Sequence, residues 1–320
     1  MRKLALVLII LTGLITQLRA EKMRIRVGHF PNITHAQALV ASQLQQQGKG
    51  WFQQRLGREV EIQWFVYNAG PSAMEAIFAN SIDLTYVGPN PVLNAYIKSQ
   101  GEEIRVIAGS ALGGAALVVH GEGGLQNPRD FKGKKIATPQ LGNTQDVAAR
   151  AWAKRNGFRV TQLGGDVLIL PAANPDQLSL FQQKQVDAVW TVEPWVSRLE
   201  LEAGGKILIE QKDAVTTVLA SSARFLAEQP ELARKFAVAH AELTKWINEN
   251  AIEAQGLMRA QLKELTKRDF PAELAARSWA RLTFTSEISR PPFDALVTEA
   301  KSVGFLKGAA DLGRLVQPLK

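Results

Sequence analysis

The sequence predicts an α/β protein of parallel sheets covered by helices, followed by a helical tail. Two observations carry this. Short Val- and Ile-rich runs, too short for helices, alternate with amphipathic stretches between residue 24 and about residue 210. From Arg224 onward nearly everything reads as helix, with Pro230, Pro271 and Pro291–Pro292 as punctuation.

In chain order, the first element is an export signal over residues 1–20. Arg2 and Lys3 form a basic n-region and Leu4 to Leu18 an uncharged, mostly apolar stretch. That length suits a signal-peptide core better than a bilayer span. Ala20 suits the position before a cleavage, although Leu18 is larger than usual there, and an uncleaved anchor is the alternative. Strands follow at 24–28, 60–67, 84–87, 104–108, 116–120, 135–138, 167–170, 188–192 and 206–209. Helices fall between them at 35–47, 72–79, 91–98, 144–156, 175–184 and 194–202. The tail contributes 231–250, 271–281 and 292–303. Gly113–Gly114 separates two strands, and 216–221 reads as a further strand; each marks either a crossing between lobes or an ordinary loop in one sheet.

Composition narrows the chemistry. The chain has 320 residues, no Cys and a formal charge of +8, which falls to +5 without Arg2, Lys3 and Arg19. The absence of Cys excludes disulfides, thiolate nucleophiles and Cys-ligated zinc, and fits an exported protein stable without crosslinks. Basic residues are interleaved with acids rather than clustered, so nucleic acid is a poor partner. No Walker-type loop, G-x-S-x-G elbow or H-E-x-x-H is present, and the four His residues are dispersed. A catalytic site, a metal and a cofactor are therefore not expected.

Three strand-to-helix junctions place small or polar residues at helix starts: Gly28 to Ala36, Gly88 to Pro91, and Thr138 to Asp146. In the first, Asn32 or Thr34 can cap the helix. In the second, Asn90 is the expected cap, with Pro91 in the first turn. In the third, Gly142 permits a tight turn before Asn143 or Thr144. Free N–H groups and the positive end of the helix dipole make each a potential anion site, although plain capping explains any single one. A fourth constellation, Glu193-Pro194-Trp195, follows the strand at 188–192. Glu193 can cap a helix or meet a ligand amine; Trp195 can wall a pocket or fill the core.

At these residues the sequence resembles the periplasmic binding components of nitrate/sulfonate/taurine ABC importers. The matching motifs are Asn68-Ala69-Gly70-Pro71, Asn80-Ser81-Ile82-Asp83-Leu84 and Gly88-Pro89-Asn90-Pro91. They continue with Asp130 to Ala137 leading into the loop 138–145, and Val186-Asp187-Ala188 leading into Glu193-Pro194-Trp195. The resemblance runs from about Ile25 to Phe225 and implies a two-lobed type II periplasmic-binding-protein fold with a hinge and an interlobe ligand cleft. Lobe one would be residues 23–112 plus 219–320, and lobe two residues 113–218. The implied lining is Asn32, Thr34, His35, Asn68, Gly70, Pro71, Gly88, Pro89, Asn90, Gln140, Asn143, Thr144, Gln145, Glu193, Trp195 and Thr217.

The implied function is capture of a small anion (aliphatic sulfonate, taurine or nitrate) in the periplasm. A monomer would deliver it to the transmembrane subunits of an ABC importer. No Arg or Lys falls in these motifs, which favours a diffuse-charge oxyanion over a phosphate. The segment 140–145 departs from the family's more Ser-rich pattern and leaves the ligand class open. The alternatives are a binder of a thiamine pyrimidine precursor, with Trp190 and Trp195 stacking on the ring, and a pyrimidine-synthase-like enzyme on the same fold. The enzymes of that group look Cys- and His-rich at their active site, unlike this chain.

Overall fold

Each predicted strand of the first 210 residues becomes a strand, and each Pro- or Gly-opened segment between them becomes a helix. A computed structural model describes residues 23–57, 59–161, 164–308 and 311–319, so the predicted export signal lies outside the described residues. The strands are β1 (Met23–His29), β2 (Val60–Val66), β3 (Leu84–Val87), β4 (Ile104–Gly113), β5 (Ala115–His120) and β6 (Lys135–Thr138). They continue with β7 (Leu168–Pro171), β8 (Ala188–Val192), β9 (Gly205–Gln211), β10 (Val215–Ser222) and β11 (Leu282–Phe284). The helices are α1 (Ala36–Gln46), α2 (Trp51–Leu56), α3 (Gly70–Phe78), α4 (Pro89–Lys98), α5 (Thr144–Arg155) and α6 (Asn174–Gln182). After them come α7 (Trp195–Ala203), α8 (Ala223–Glu228), α9 (Pro230–Glu249), α10 (Ala251–Thr266), α11 (Ala272–Trp279) and α12 (Pro291–Ser302).

The strands form two sheets, ordered β11-β4-β10-β3-β1-β2 and β7-β6-β8-β5-β9. Parallel pairs (β1 with β2 and β3, β6 with β7 and β8) are mixed with antiparallel ones around β10 and β5. Helices cover both faces of each sheet, which is why β3 and β8 are buried along their whole length. On the first sheet, α1, α2, α9 and α10 close one core, where Phe52 stacks on Phe236 at 4.1 Å; α3, α4 and α12 close the other. On the second sheet, Trp152 of α5 sits in one core, and Phe181 of α6 with Leu199 of α7 in the other.

The chain leaves the first sheet at Gly113–Gly114 and returns over Lys212–Ala214. Both glycines have positive φ (+76° and +69°), and a Cβ on Gly113 would lie 2.5 Å from the Arg281 carbonyl oxygen. The helical tail returns to the first sheet. Along α9, Leu232, Phe236, Leu243 and Ile247 face its core, at helical spacing. The tail is not wholly helical, because β11 pairs with the edge of β4, Leu282 opposite Gly113. Residues 282–284 are too few to show an alternating pattern, and the sequence reading also omits α2.

Candidate functional site

The junctions after β1, β3 and β6 converge with the start of α3 between the two sheets. After β1, Asn32 has an extended backbone and makes no side-chain cap bond. Its Oδ1 instead accepts from Trp195 Nε1 at 3.0 Å, a bond between the lobes. His35 packs on the Phe30 ring at 4.4 Å, and its Nδ1 accepts from the Phe30 N–H at 3.4 Å. Burial, with His29 nearby, holds its pKa well below the ordinary value of 6.5, so the ring is neutral with its proton on Nε2. His29 is also buried and neutral, pushed down to about 4; its Nδ1 contacts the Phe30 carbonyl at 3.3 Å and its Nε2 has no partner among the described residues.

The second junction corrects an expectation. Gly88, not Asn90, is the cap of α4, and Pro89, Asn90 and Pro91 form its first turn. Proline suits this turn because its missing N–H would have no partner there. Asn90 is therefore a helical residue. Its side chain is buried and both amide atoms lack a partner among the described residues, while its backbone N–H meets Thr144 Oγ1 across the cleft at 3.4 Å.

The third junction is braced internally. Gly142 takes φ +77°, and Asn143 caps α5 by accepting from the Asp146 N–H at 2.8 Å. The Asp146 carboxylate accepts from Thr138 Oγ1 (3.0 Å), the Gly142 N–H (2.9 Å) and Arg150 Nε (3.0 Å). All of these groups are buried, so each polar atom has to be matched.

These elements line a small cavity of about 30 Å³, no more than a few water molecules' worth. Of the residues expected at the site, Asn32, Thr34, His35, Asn68, Gly70, Gly88, Asn143, Thr144 and Gln145 line it. Phe30, Ala69, Pro91, Pro139, Asn174, Val192 and Thr216 complete the lining. Asn174 opens α6 directly after β7, with Pro175 in its first turn, so the same strand–proline–helix pattern would have found it. Among the described residues, none that lines the cavity is an acid, a lysine or an arginine. The lobes meet closely here: a Cβ on Gly88 would lie 2.5 Å from Thr144 Oγ1.

The other expected residues lie elsewhere. Pro71 faces a neighbouring groove with Leu141 and Phe305. Gln140 bonds Ser72 across the lobes at 3.2 Å. Pro89, Asn90 and Thr217 are outside the lining, although Thr217 Oγ1 is buried without a partner among the described residues. Glu193 is fully buried and accepts from the Ser197 N–H (3.1 Å), Ser197 Oγ (2.9 Å) and Arg281 Nη1 (2.9 Å). Burial raises its pKa above the ordinary 4.5, against the pull of Arg281 and Ser197. Arg281 also meets Glu200 at 2.8 Å, joining the tail to α7 beside the Gly113 crossing. Among the described residues no cluster of His, Asp or Glu is arranged to hold a metal.

The model of the NMT1-like family matches residues 18–259, most of the chain. The chain belongs to the NMT1-like family. Similar proteins include a candidate aliphatic sulfonates-binding protein of Bacillus subtilis (strain 168), 27% identical over 229 residues. That match covers 69% of this chain and 66% of that protein, just under two thirds of the relative's length. A candidate binding protein of Brucella abortus (strain 2308) is 25% identical over 264 residues, covering 79% and 77% of the two chains.

Solved structures share the architecture of this NMT1-like chain. The alkanesulfonate-binding protein SsuA from Xanthomonas axonopodis pv. citri bound to MOPS has a TM-score of 0.75 at 19% identity, covering 93% of this chain and 99% of that one. The periplasmic nitrate-binding protein NrtA from Synechocystis PCC 6803 has 0.76 at 14%, covering 92% and 86%. The fold is thus the two-lobed type II periplasmic-binding-protein fold.

Proposed function

We propose that the chain is an exported solute-binding protein of an ABC importer. It captures a small anion of diffuse charge (an aliphatic sulfonate, taurine or nitrate) between its lobes and hands it to the membrane subunits. One observation carries this reading: an interlobe cavity where helix starts meet Asn, Thr, Gln and neutral His side chains, with no charged residue among the described lining residues. Helix N-termini and neutral donors suit a weakly hydrated oxyanion, whereas a phosphate calls for Arg or Lys. The sulfonate- and nitrate-binding proteins that share the fold support it, as does the export signal. None of the described helices is long and apolar enough to cross a membrane.

On this reading the moving bodies are the two sheets with their helices, and the protein acts as a periplasmic monomer. The outward crossing is at Gly113–Gly114. The return is best taken at 212–214 rather than 218, because β10 pairs with β4 from Val215 onward. Neither Trp190 nor Trp195 lines the cavity, so a pyrimidine serves as the control ligand. Thermal unfolding of the mature protein against nitrate, taurine, ethanesulfonate and an aminopyrimidine tests the proposal. A ligand at a hundred times its Kd adds about 2.7 kcal/mol, readily seen as a rise in Tm. A rise with one of the anions is expected; no rise with any of them would overturn the proposal.

A further inference from the structure

The resemblance places Trp195 in the ligand lining, yet it lies outside the lining and reaches across the cleft instead. We infer that Trp195 is a positioning residue for anion selectivity: its indole N–H turns the Asn32 amide so that the NH2 group, not the carbonyl, faces the ligand. The inference rests on reading the cleft as an anion site.

The chemistry leaves little freedom. An indole N–H only donates, so of the two ends of the Asn32 amide it can meet only the carbonyl oxygen, as it does at 3.0 Å. Oxygen and nitrogen share one planar carbon, so fixing Oδ1 fixes Nδ2. That Nδ2 has no partner among the described residues, and Asn32 lines the cavity. The Asn32 backbone is already held, its N–H donating to the Phe30 carbonyl (2.8 Å) and its carbonyl accepting from the His35 N–H (2.9 Å). Side-chain rotation is thus what remains to be set. Without the indole, the amide can turn its carbonyl dipole toward the anion, which repels it.

The arm that sets it is rigid. Trp195 opens α7 and is buried with Val196 and Leu199, with Arg198 over its ring at 5.5 Å. Two residues upstream, Glu193 is pinned by Ser197 and Arg281. Because Asn32 and Trp195 belong to different lobes, the donor is oriented only when the lobes meet, so closure and selectivity are coupled.

Trp195→Phe keeps the aromatic bulk and removes the N–H. Calorimetric titration with ethanesulfonate and nitrate should show about tenfold weaker binding in Trp195→Phe, the scale of one lost hydrogen bond to a charged group. In an Asn32→Ala background the same substitution should cost less than about twofold, because the residue it acts through is gone. Equal losses in both backgrounds, or no loss in Trp195→Phe, would overturn the inference. A second readout needs no ligand: hydrogen exchange of the Trp195 indole by NMR should be slower in the wild type than in Asn32→Ala. Equal exchange rates would show that the pair does not form. If the wild type binds none of the anions, the proposed function fails, while the exchange rates still decide the Trp195–Asn32 bond.

Discussion

Two helix starts meet across the cleft, and they are finished differently. At α5 the buried polar side chains are braced internally: Asn143 caps, and Asp146 gathers Thr138, Gly142 and Arg150. At α4 a glycine caps the helix and the buried Asn90 amide has no partner at either atom. Both sequences read as an Asn beside a helix start. One Asn holds the fold; the other is left unmatched, buried at a cost of about 1–3 kcal/mol for its unmet groups.

The sharpest way to break this contrast is at the braced end. Arg150→Ala leaves Asp146 buried and unpaired and should cost about 3–5 kcal/mol in urea unfolding. A loss under about 1 kcal/mol would mean that Arg150 does not hold Asp146.

Next comes Arg281→Met, which strands Glu193 and should cost about 2 kcal/mol. Its pH dependence has a definite sign. A carboxyl raised above 4.5 stabilises fully below that value and loses its contribution as pH rises through the folded value. Removing Arg281 raises that value further, so the loss should be larger near about pH 8 than near about pH 5. The buried histidines run the other way. His29 and His240 are held at about 4, against 6.5 unfolded, so their contribution is full above 6.5 and is lost as pH falls toward 4. Acid titration of the wild type should therefore show stability falling through that window; a flat profile would contradict neutral burial.

Asn143→Ala should cost about 1 kcal/mol in the ligand-free protein, the worth of a helix cap. The smallest effect is expected for Asn90→Ala, which removes unmet polar atoms and should leave ligand-free stability within about 0.5 kcal/mol or raise it. If Asn90→Ala were the more damaging of the two, the contrast between the helix starts would be reversed.

Much of this was legible in the sequence, for identifiable reasons. Strands such as 84–87 and 188–192 show as short runs of apolar, β-branched and aromatic residues because both of their faces are buried, and Pro175 or Pro230 marks a helix start wherever an unneeded N–H can be dropped. The junctions of the cleft were readable for the same reason. What escaped depends on distance along the chain. Arg281 reaches Glu193 from 88 residues away, and Trp195 reaches Asn32 from 163. No local pattern tells a Glu that caps from one paired with the tail, or a Trp that walls a pocket from one that spans it. The choice of Gly88 over Asn90 as cap turned on a two-residue shift in the helix start, which Pro89 and Pro91 both permit.

The most direct measurement is calorimetric titration of the mature protein and its Gly88→Val variant with ethanesulfonate, taurine and nitrate. Added side-chain atoms at Gly88 would run into Thr144 where the lobes touch, while the backbone there (φ −64°) accepts any L-residue. If the cleft closes on a small anion, the wild type binds one of these one-to-one and the folded variant loses that binding. Absence of binding in the wild type, or equal binding by the variant, would contradict capture between the lobes.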